Sequence, residues 1–208
     1  MTVRVKICGI NDPVALATAA EAGADWVGFV FFPPSPRAIT PAQAAALSAA
    51  CPGGPKRVGL FVDPTEAAVA AALDALHLDA LQLYAPAARV AALRARFARP
   101  VWRAIGVATE ADLPTEAGAA DRFVLEAKPP PEATRPGGNA ARFDWTLLRD
   151  WHAPAPWILA GGLTPDTVAA AIHATGATAV DVSSGVERAP GAKDPALIRA
   201  FIAAARGA

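Results

Sequence analysis

The stretch Val3-Arg4-Val5-Lys6-Ile7-Cys8-Gly9-Ile10-Asn11-Asp12-Pro13 decides the fold. Its apolar residues alternate, which predicts a short strand over 3–7, and Gly9 opens a tight turn. Asn11-Asp12-Pro13 then supplies a capping residue type followed by an early proline, the start signal of a helix. Within the strand, Val3, Val5 and Ile7 share one face, and Arg4, Lys6 and Cys8 share the other. One row is apolar; the other is basic and ends in a thiol. A thiol at the carboxyl end of a strand, above a strand-to-helix turn, lies where α/β folds place their chemistry. Plain core packing is the competing reading, because free cysteine is among the most buried residue types.

The same unit recurs along the whole chain. Strands are predicted at 3–7, 26–31, 57–62, 80–84, 101–105, 122–125, 157–160 and 179–182. Alanine-rich helices follow at 13–22, 41–50, 65–76, 87–97, weakly at 110–117, then at 145–150, 165–175 and 195–206. Thr40-Pro41, Thr164-Pro165 and Asp194-Pro195 repeat the cap-then-proline start. Eight βα units in 208 residues sit at the small end of the (β/α)₈ TIM barrel range. An open doubly wound sheet is the alternative, and the lack of a Gly-x-Gly-x-x-Gly turn favours closure. One domain over 1–208 is expected. Between Glu126 and Phe143 no usable period remains. A loop of that length after the sixth strand would lie on the catalytic face, as a substrate lid or a tolerated insertion.

Composition narrows the function. Hydrophobic residues make up 53% and charged residues 18%, with zero formal net charge and no like-charge run. Nucleic-acid and acidic-membrane binding have no electrostatic support. No apolar stretch is long enough to cross a bilayer, and no signal peptide is read at the N-terminus. Cys8 and Cys51 lie too far apart in sequence to suggest a disulfide framework. These features predict a soluble cytoplasmic protein, a monomer or homodimer. His77, His152 and His173 fall on or after helices, so neither a metal set nor a histidine base is expected.

Chemistry concentrates at strand ends. Gly161-Gly162-Leu163 follows the seventh strand and Ser183-Ser184-Gly185 follows the eighth. Converging backbone amides after those two strands form the recurrent phosphate site of such barrels. Two ordinary turns are the bland reading. Glu126 and Asp63 end the sixth and third strands, and Asp181 points inward opposite Val180 and Val182. Gln82 and Tyr84 face inward in the fourth strand. A buried Lys6 must pair with Asp181 or Glu126, and it would favour the thiolate of Cys8 and lower its pKa. Around a closed ring, strands six, seven, eight and one are contiguous. Glu126 and Cys8 therefore flank the phosphate turns, an acid and a base suited to proton shuttling on a phosphosugar. Arg37, in Pro34-Ser35-Pro36-Arg37, reaches the same mouth with a fork suited to a carboxylate, unless it is simply solvated.

These blocks also occur in a familiar order. Lys6-Ile7-Cys8-Gly9, Gly23-Ala24-Asp25 with Val27-Gly28-Phe29, Ser35-Pro36-Arg37, Val58-Gly59-Leu60-Phe61-Val62, Gln82-Leu83 and Phe143-Asp144-Trp145 come first. Leu159-Ala160-Gly161-Gly162-Leu163 and Val180-Asp181-Val182-Ser183-Ser184-Gly185-Val186-Glu187 complete the set. Together they resemble the phosphoribosylanthranilate isomerase family of tryptophan biosynthesis over essentially the whole chain. The resemblance implies a (β/α)₈ barrel that rearranges N-(5-phosphoribosyl)anthranilate to carboxyphenylamino-deoxyribulose 5-phosphate, with neither cofactor nor metal. It matches Cys8 to the general base and Arg37 to the contact for the anthranilate carboxylate. Gly161, Gly162, Ser183, Ser184 and Gly185 fall to the phosphate site, with Asp181 beside them on the substrate-binding side.

Two departures stand out. The family's acid is an aspartate, and here the position holds Glu126, longer by one carbon–carbon bond of about 1.5 Å. The family's histidine and glycine after Gln-Leu are Tyr84 and Ala85. The related histidine-pathway isomerase needs a second phosphate loop, and Val62-Asp63-Pro64-Thr65 and Tyr84-Ala85-Pro86 offer no paired glycines for it. A non-catalytic phosphosugar-binding barrel is the alternative from another class.

Overall fold

The computed structural model describes residues 2–130, 136–137 and 141–208. Eight parallel strands close into a barrel in sequential order, with β8 pairing back onto β1. They are β1 (Arg4–Cys8), β2 (Trp26–Val30), β3 (Lys56–Val62), β4 (Ala80–Tyr84), β5 (Val101–Val107), β6 (Arg122–Ala127), β7 (Trp157–Leu159) and β8 (Ala179–Val182). The helices are α1 (Pro13–Glu21), α2 (Pro41–Ala50), α3 (Glu66–Ala75), α4 (Ala87–Phe97), α5 (Val168–Thr175) and α6 (Pro195–Arg206). Closure places every strand's carboxyl end on one rim, which is how residues far apart in sequence come to share a site.

Local signals explain most of the boundaries. Asp12 accepts from the Ala15 amide at 2.8 Å, and Thr40 forms a reciprocal capping box with Gln43. Three helix expectations are corrected. The weak helix after β5 is a 3₁₀ turn, Glu110–Asp112, closed by Asp112 on the Ala108 and Thr109 amides. Pro114 lacks a donor and disfavours the helical region for Leu113. After β6 only a 3₁₀ turn, Trp145–Leu148, forms. The seventh helix begins at Val168 and not at Pro165, because the Thr167 hydroxyl accepts from the Thr164 amide at 3.0 Å and makes a separate turn first. A 3₁₀ turn, Ser184–Val186, and a hairpin of β9 (Glu187–Ala189) and β10 (Ala192–Lys193) follow β8, and the sequence reading did not anticipate them. Part of the loop expected to form a lid lies outside the described residues.

Side-chain period organises two cores. Outward-facing Val5, Ile7, Val27, Phe29 and Phe61 are buried beneath the helices. Inside the barrel, Trp26, Val58, Trp102, Val124 and Ile158 fill the lower layers. The Trp26 and Trp102 rings meet edge to face at 5.2 Å, and the Arg122 guanidinium lies 5.4 Å from each ring centre. This floor fills the amino-terminal end and leaves room only at the opposite rim. Among the described residues no helix is long and apolar enough to cross a membrane. Trp102→Ala is expected to cost about 3–5 kcal/mol of stability, from the cavity left behind. Urea denaturation of the purified variant measures it; a loss near zero would mean the floor collapses into the gap.

Candidate active site

Above the tryptophan floor, Lys6 is wholly buried and its Nζ lies 3.0 Å from Asp181 Oδ1. The two residues are register partners across the β1–β8 seam. Of the two partners open to Lys6 in the sequence, Asp181 is the one it meets. Burial works against the ammonium charge, but Asp181 and Cys8 more than offset it and hold the Lys6 pKa above its usual value.

Cys8 sits one pleat above Lys6 and is also buried. A Cβ added to Gly28 on β2 would come within 2.9 Å of Cys8 Sγ and 3.2 Å of Lys6 Nζ, so the thiol and the ammonium crowd one small space. Lys6 and Lys193 do favour the thiolate, as expected for Lys6. Burial outweighs them, however, and with Asp181 it pushes the Cys8 pKa up and not down. That corrects the expected lowering. Sequence shows which charge is near a thiol but not how much water has left it.

A pocket opens at the carboxyl rim of the barrel. Cys8, Arg37, Glu126, Gly161, Gly162, Asp181, Ser183, Ser184 and Gly185 all line it. Asp63 does not; it follows the carboxyl end of β3 and is exposed. Glu126 is 6% exposed, and its Oε1 has no hydrogen-bond partner among the described residues. Burial raises its pKa to about 8, against an opposing hydrogen-bond contribution from Tyr84. Tyr84 itself is held well above the ordinary phenol value by burial and by Glu126, so it stays neutral. Gly137 packs against both: a Cβ there would lie 2.5 Å from Tyr84 Oη and 2.7 Å from Glu126 Oε2.

On the other side, the two glycine/serine turns interlock. Gly161 and Gly162 take φ of +84° and +64°, a left-handed pair that residues with a Cβ rarely adopt. A Cβ on Gly185 would overlap the Leu163 carbonyl, so only glycine lets the turns after β7 and β8 approach this closely. Arg37 is not solvated. It is 4% exposed, with Nε and Nη2 bound to Glu187 Oε1 and Oε2 at 2.7 and 2.8 Å. Lys193, also buried, donates to Glu187 Oε1 at 2.8 Å and to the Ser183 carbonyl at 2.9 Å. The sequence reading gave neither residue a role. Glu187 lay inside a quoted motif, but Lys193 on β10 carries no local signal. Among the described residues no group of three or more histidine, cysteine or carboxylate side chains is arranged for a metal ion.

A closed eight-stranded parallel barrel with a buried thiol and a buried carboxyl at its carboxyl rim defines an acid–base (β/α)₈ barrel enzyme class. The sequence profile of the N-(5'phosphoribosyl)anthranilate (PRA) isomerase family matches residues 5–204. The chain is 53% identical to the N-(5'-phosphoribosyl)anthranilate isomerase of Granulibacter bethesdensis, with both chains covered in full. It is 56% identical to that of Acidiphilium cryptum, over 99% of each chain. Phosphoribosyl anthranilate isomerase from Thermotoga maritima superposes with a TM-score of 0.85 at 36% identity, over 99% of this chain and 100% of that one. A phosphoribosyl anthranilate isomerase in complex with reduced 1-(o-carboxyphenylamino)-1-deoxyribulose 5-phosphate gives 0.83 at 35% identity, with the same coverage. The chain belongs to the N-(5'-phosphoribosyl)anthranilate isomerase family.

The raised pKa of Glu126 makes a stability prediction. The folded state keeps the proton from the ordinary 4.5 up to about 8, while the unfolded chain releases it near 4.5. Stability therefore falls as pH rises through that window, by roughly 5 kcal/mol in all. Glu126→Gln removes this penalty. The variant is expected to exceed the parent in stability at pH 9 and nearly to match it at pH 5, as read by denaturant unfolding at both values. Equal differences at the two pH values would show that Glu126 is not held protonated.

Proposed function

We propose that this protein converts N-(5'-phosphoribosyl)anthranilate to 1-(o-carboxyphenylamino)-1-deoxyribulose 5-phosphate, acting as a cytoplasmic tryptophan-biosynthesis isomerase with the whole chain as one barrel domain. The observation that carries the reading is the placement of a buried Glu126 and a buried Cys8 in one pocket with the two glycine/serine turns. Family membership supports the substrate. Both cysteines are free thiols, in keeping with a reducing compartment.

In this reading the substrate phosphate rests on the amides after β7 and β8, near Gly162 and Ser184. The anthranilate carboxylate lies against Arg37. Glu187 already holds the Nε–Nη2 edge of that fork, so the carboxylate takes the Nη1 side. Glu126 gives its proton to the furanose ring oxygen, the C1–O bond breaks, and a Schiff base forms. Cys8 as thiolate removes the proton from the neighbouring sugar carbon, and the enolamine tautomerises to the ketone. A carboxylic acid with pKa near 8 is loaded with its proton at neutral pH, as a general acid must be. The thiol is raised as well, so the active combination of protonated acid and ionised thiol grows toward alkaline pH. Turnover is expected to follow a bell whose crest lies above pH 8.

Single-turnover product formation with purified protein and N-(5'-phosphoribosyl)anthranilate tests the proposal directly. Binding without product would favour a phosphosugar-binding barrel. Cys8→Ser should lower turnover by several orders of magnitude and leave phosphosugar affinity nearly intact, with Cys51→Ser behaving like the parent. Retained activity in Cys8→Ser would remove the thiol from the mechanism.

Glu126→Gln should lose most activity, since an amide is no proton donor of suitable strength. Glu126→Asp should keep function at an altered rate, a displaced acid costing up to about a hundredfold. If Glu126→Gln turns over like the parent, another group supplies the proton, Asp181 being the next candidate. Chelators are expected to leave turnover unchanged.

A further inference from the structure

Glu187 and Lys193 are buried charges in the wall behind this pocket, and the steps above give them no part. Side-chain exposure is 0% for Lys193 and 4% for Glu187. Lys193 Nζ donates to the Ser183 carbonyl at 2.9 Å, to Ser183 Oγ at 3.3 Å and to Glu187 Oε1 at 2.8 Å. Ser183 Oγ in turn donates to the Cys8 carbonyl at 3.2 Å. Glu187 Oε2 accepts from Arg37 Nη2 at 2.8 Å and from the Gly191 amide at 3.3 Å, while Oε1 takes Arg37 Nε at 2.7 Å. One unbroken chain of contacts therefore runs from the end of β1, through the turn after β8, to Arg37 after β2.

Placing three full charges here is costly. Each buried ion pays a desolvation penalty of several kcal/mol, and a well-packed apolar cluster would hold a hairpin as well or better. Such a cluster could not do two other things. It could not hold a guanidinium through two parallel hydrogen bonds along one edge, and it could not leave a net positive charge beside the turn after β8. With Arg37 and Lys193 against Glu187, that net charge is one.

We propose that Lys193 and Glu187 are positioning residues for the isomerase reaction, tying the Ser183–Ser184–Gly185 turn to the Arg37 guanidinium so that one ion triad sets the span between the substrate's phosphate and its carboxylate. The proposal rests on the site reading given above. Lys193 also faces the thiol. The charged and titratable groups around Cys8 are Lys6 on its own strand, Asp181 on β8, Lys193 on β10, and Tyr84 on β4 with Glu126 on β6 beyond it. Removing Lys193 leaves Lys6 as the one cation favouring the thiolate, and removing the Glu187 charge exposes the thiol to the full charge of Lys193.

Lys193→Met, Lys193→Arg and Glu187→Gln, each in a Cys51→Ser background, test this with three readouts. These are kcat and KM for N-(5'-phosphoribosyl)anthranilate, calorimetric binding of inorganic phosphate, and the pH midpoint of Cys8 alkylation by iodoacetamide. Lys193→Met is expected to lower kcat/KM about a hundredfold, the cost of a misplaced reacting group, mostly through KM. It should also weaken phosphate binding and move the alkylation midpoint up. Glu187→Gln should raise KM too, but move the midpoint down. Lys193→Arg should restore the midpoint and part of KM. A merely structural lesion would shift both midpoints the same way, toward an exposed thiol. KM, phosphate binding and midpoint unchanged in folded Lys193→Met would overturn the proposal. If that variant does not fold, unchanged KM and midpoint in Glu187→Gln and Lys193→Arg would do so. Should the parent fail to turn over the substrate, the functional reading falls; phosphate binding and the opposed midpoint shifts still decide the role of the triad.

Discussion

The pairing of Lys6 with Asp181 is the constraint on which the rest depends. It joins the first strand to the last, at the seam where an open sheet would otherwise have two edges. The contact lies between the dry tryptophan floor and the pocket, and it is wholly buried on the lysine side. Breaking either half leaves an uncompensated buried charge, which is strongly destabilising. The pair also sets the electrostatics above it. Lys6 draws Cys8 toward its ionised form, while Asp181 opposes ionisation of both Cys8 and Glu126.

The upper layer is thus a balance between burial and charge. Glu126 and Cys8 both lean toward their neutral forms because the pocket has removed their water; Lys6 opposes this at both, and Lys193 opposes it at the thiol as well. The longer acid of this chain meets a tyrosine in place of the family's histidine, and both face the same small space under Gly137. A protonated glutamic acid beside a neutral phenol keeps that side of the pocket uncharged. The opposite wall carries Arg37, Glu187 and Lys193 and is net positive. The site is polarised across its width, with Glu126 on the neutral side and the Ser183–Ser184–Gly185 turn on the cationic side.

Much of this was legible in the chain. All eight strands lie within two residues of where alternation places them, and β4 and β8 coincide with the expected ranges. Inward direction follows from period two, so the sequence alone assigns Lys6, Cys8, Gln82, Glu126 and Asp181 to the interior. Helices with a side-chain cap, such as α1, α2 and α6, begin where the cap predicts. The failures have local causes: Pro114 shortens one helix, and the Thr164–Thr167 turn delays another. The β9–β10 hairpin was missed because its strands, of three and two residues, are too short to show a period.

The sequence by itself determined the order of strands, the face on which each reactive side chain lies, and the turns at which backbone amides are free. These are local properties, set by side-chain period, capping and glycine. Tertiary structure alone decided that Lys6 meets Asp181, that Arg37 is gripped by Glu187, and that Lys193 reaches the turn after β8. It also decided the sign of the shift at Cys8, which no list of neighbouring charges gives. Those outcomes depend on distances across a closed ring and on how much water the ring excludes, and both come into being only when the eighth strand closes on the first.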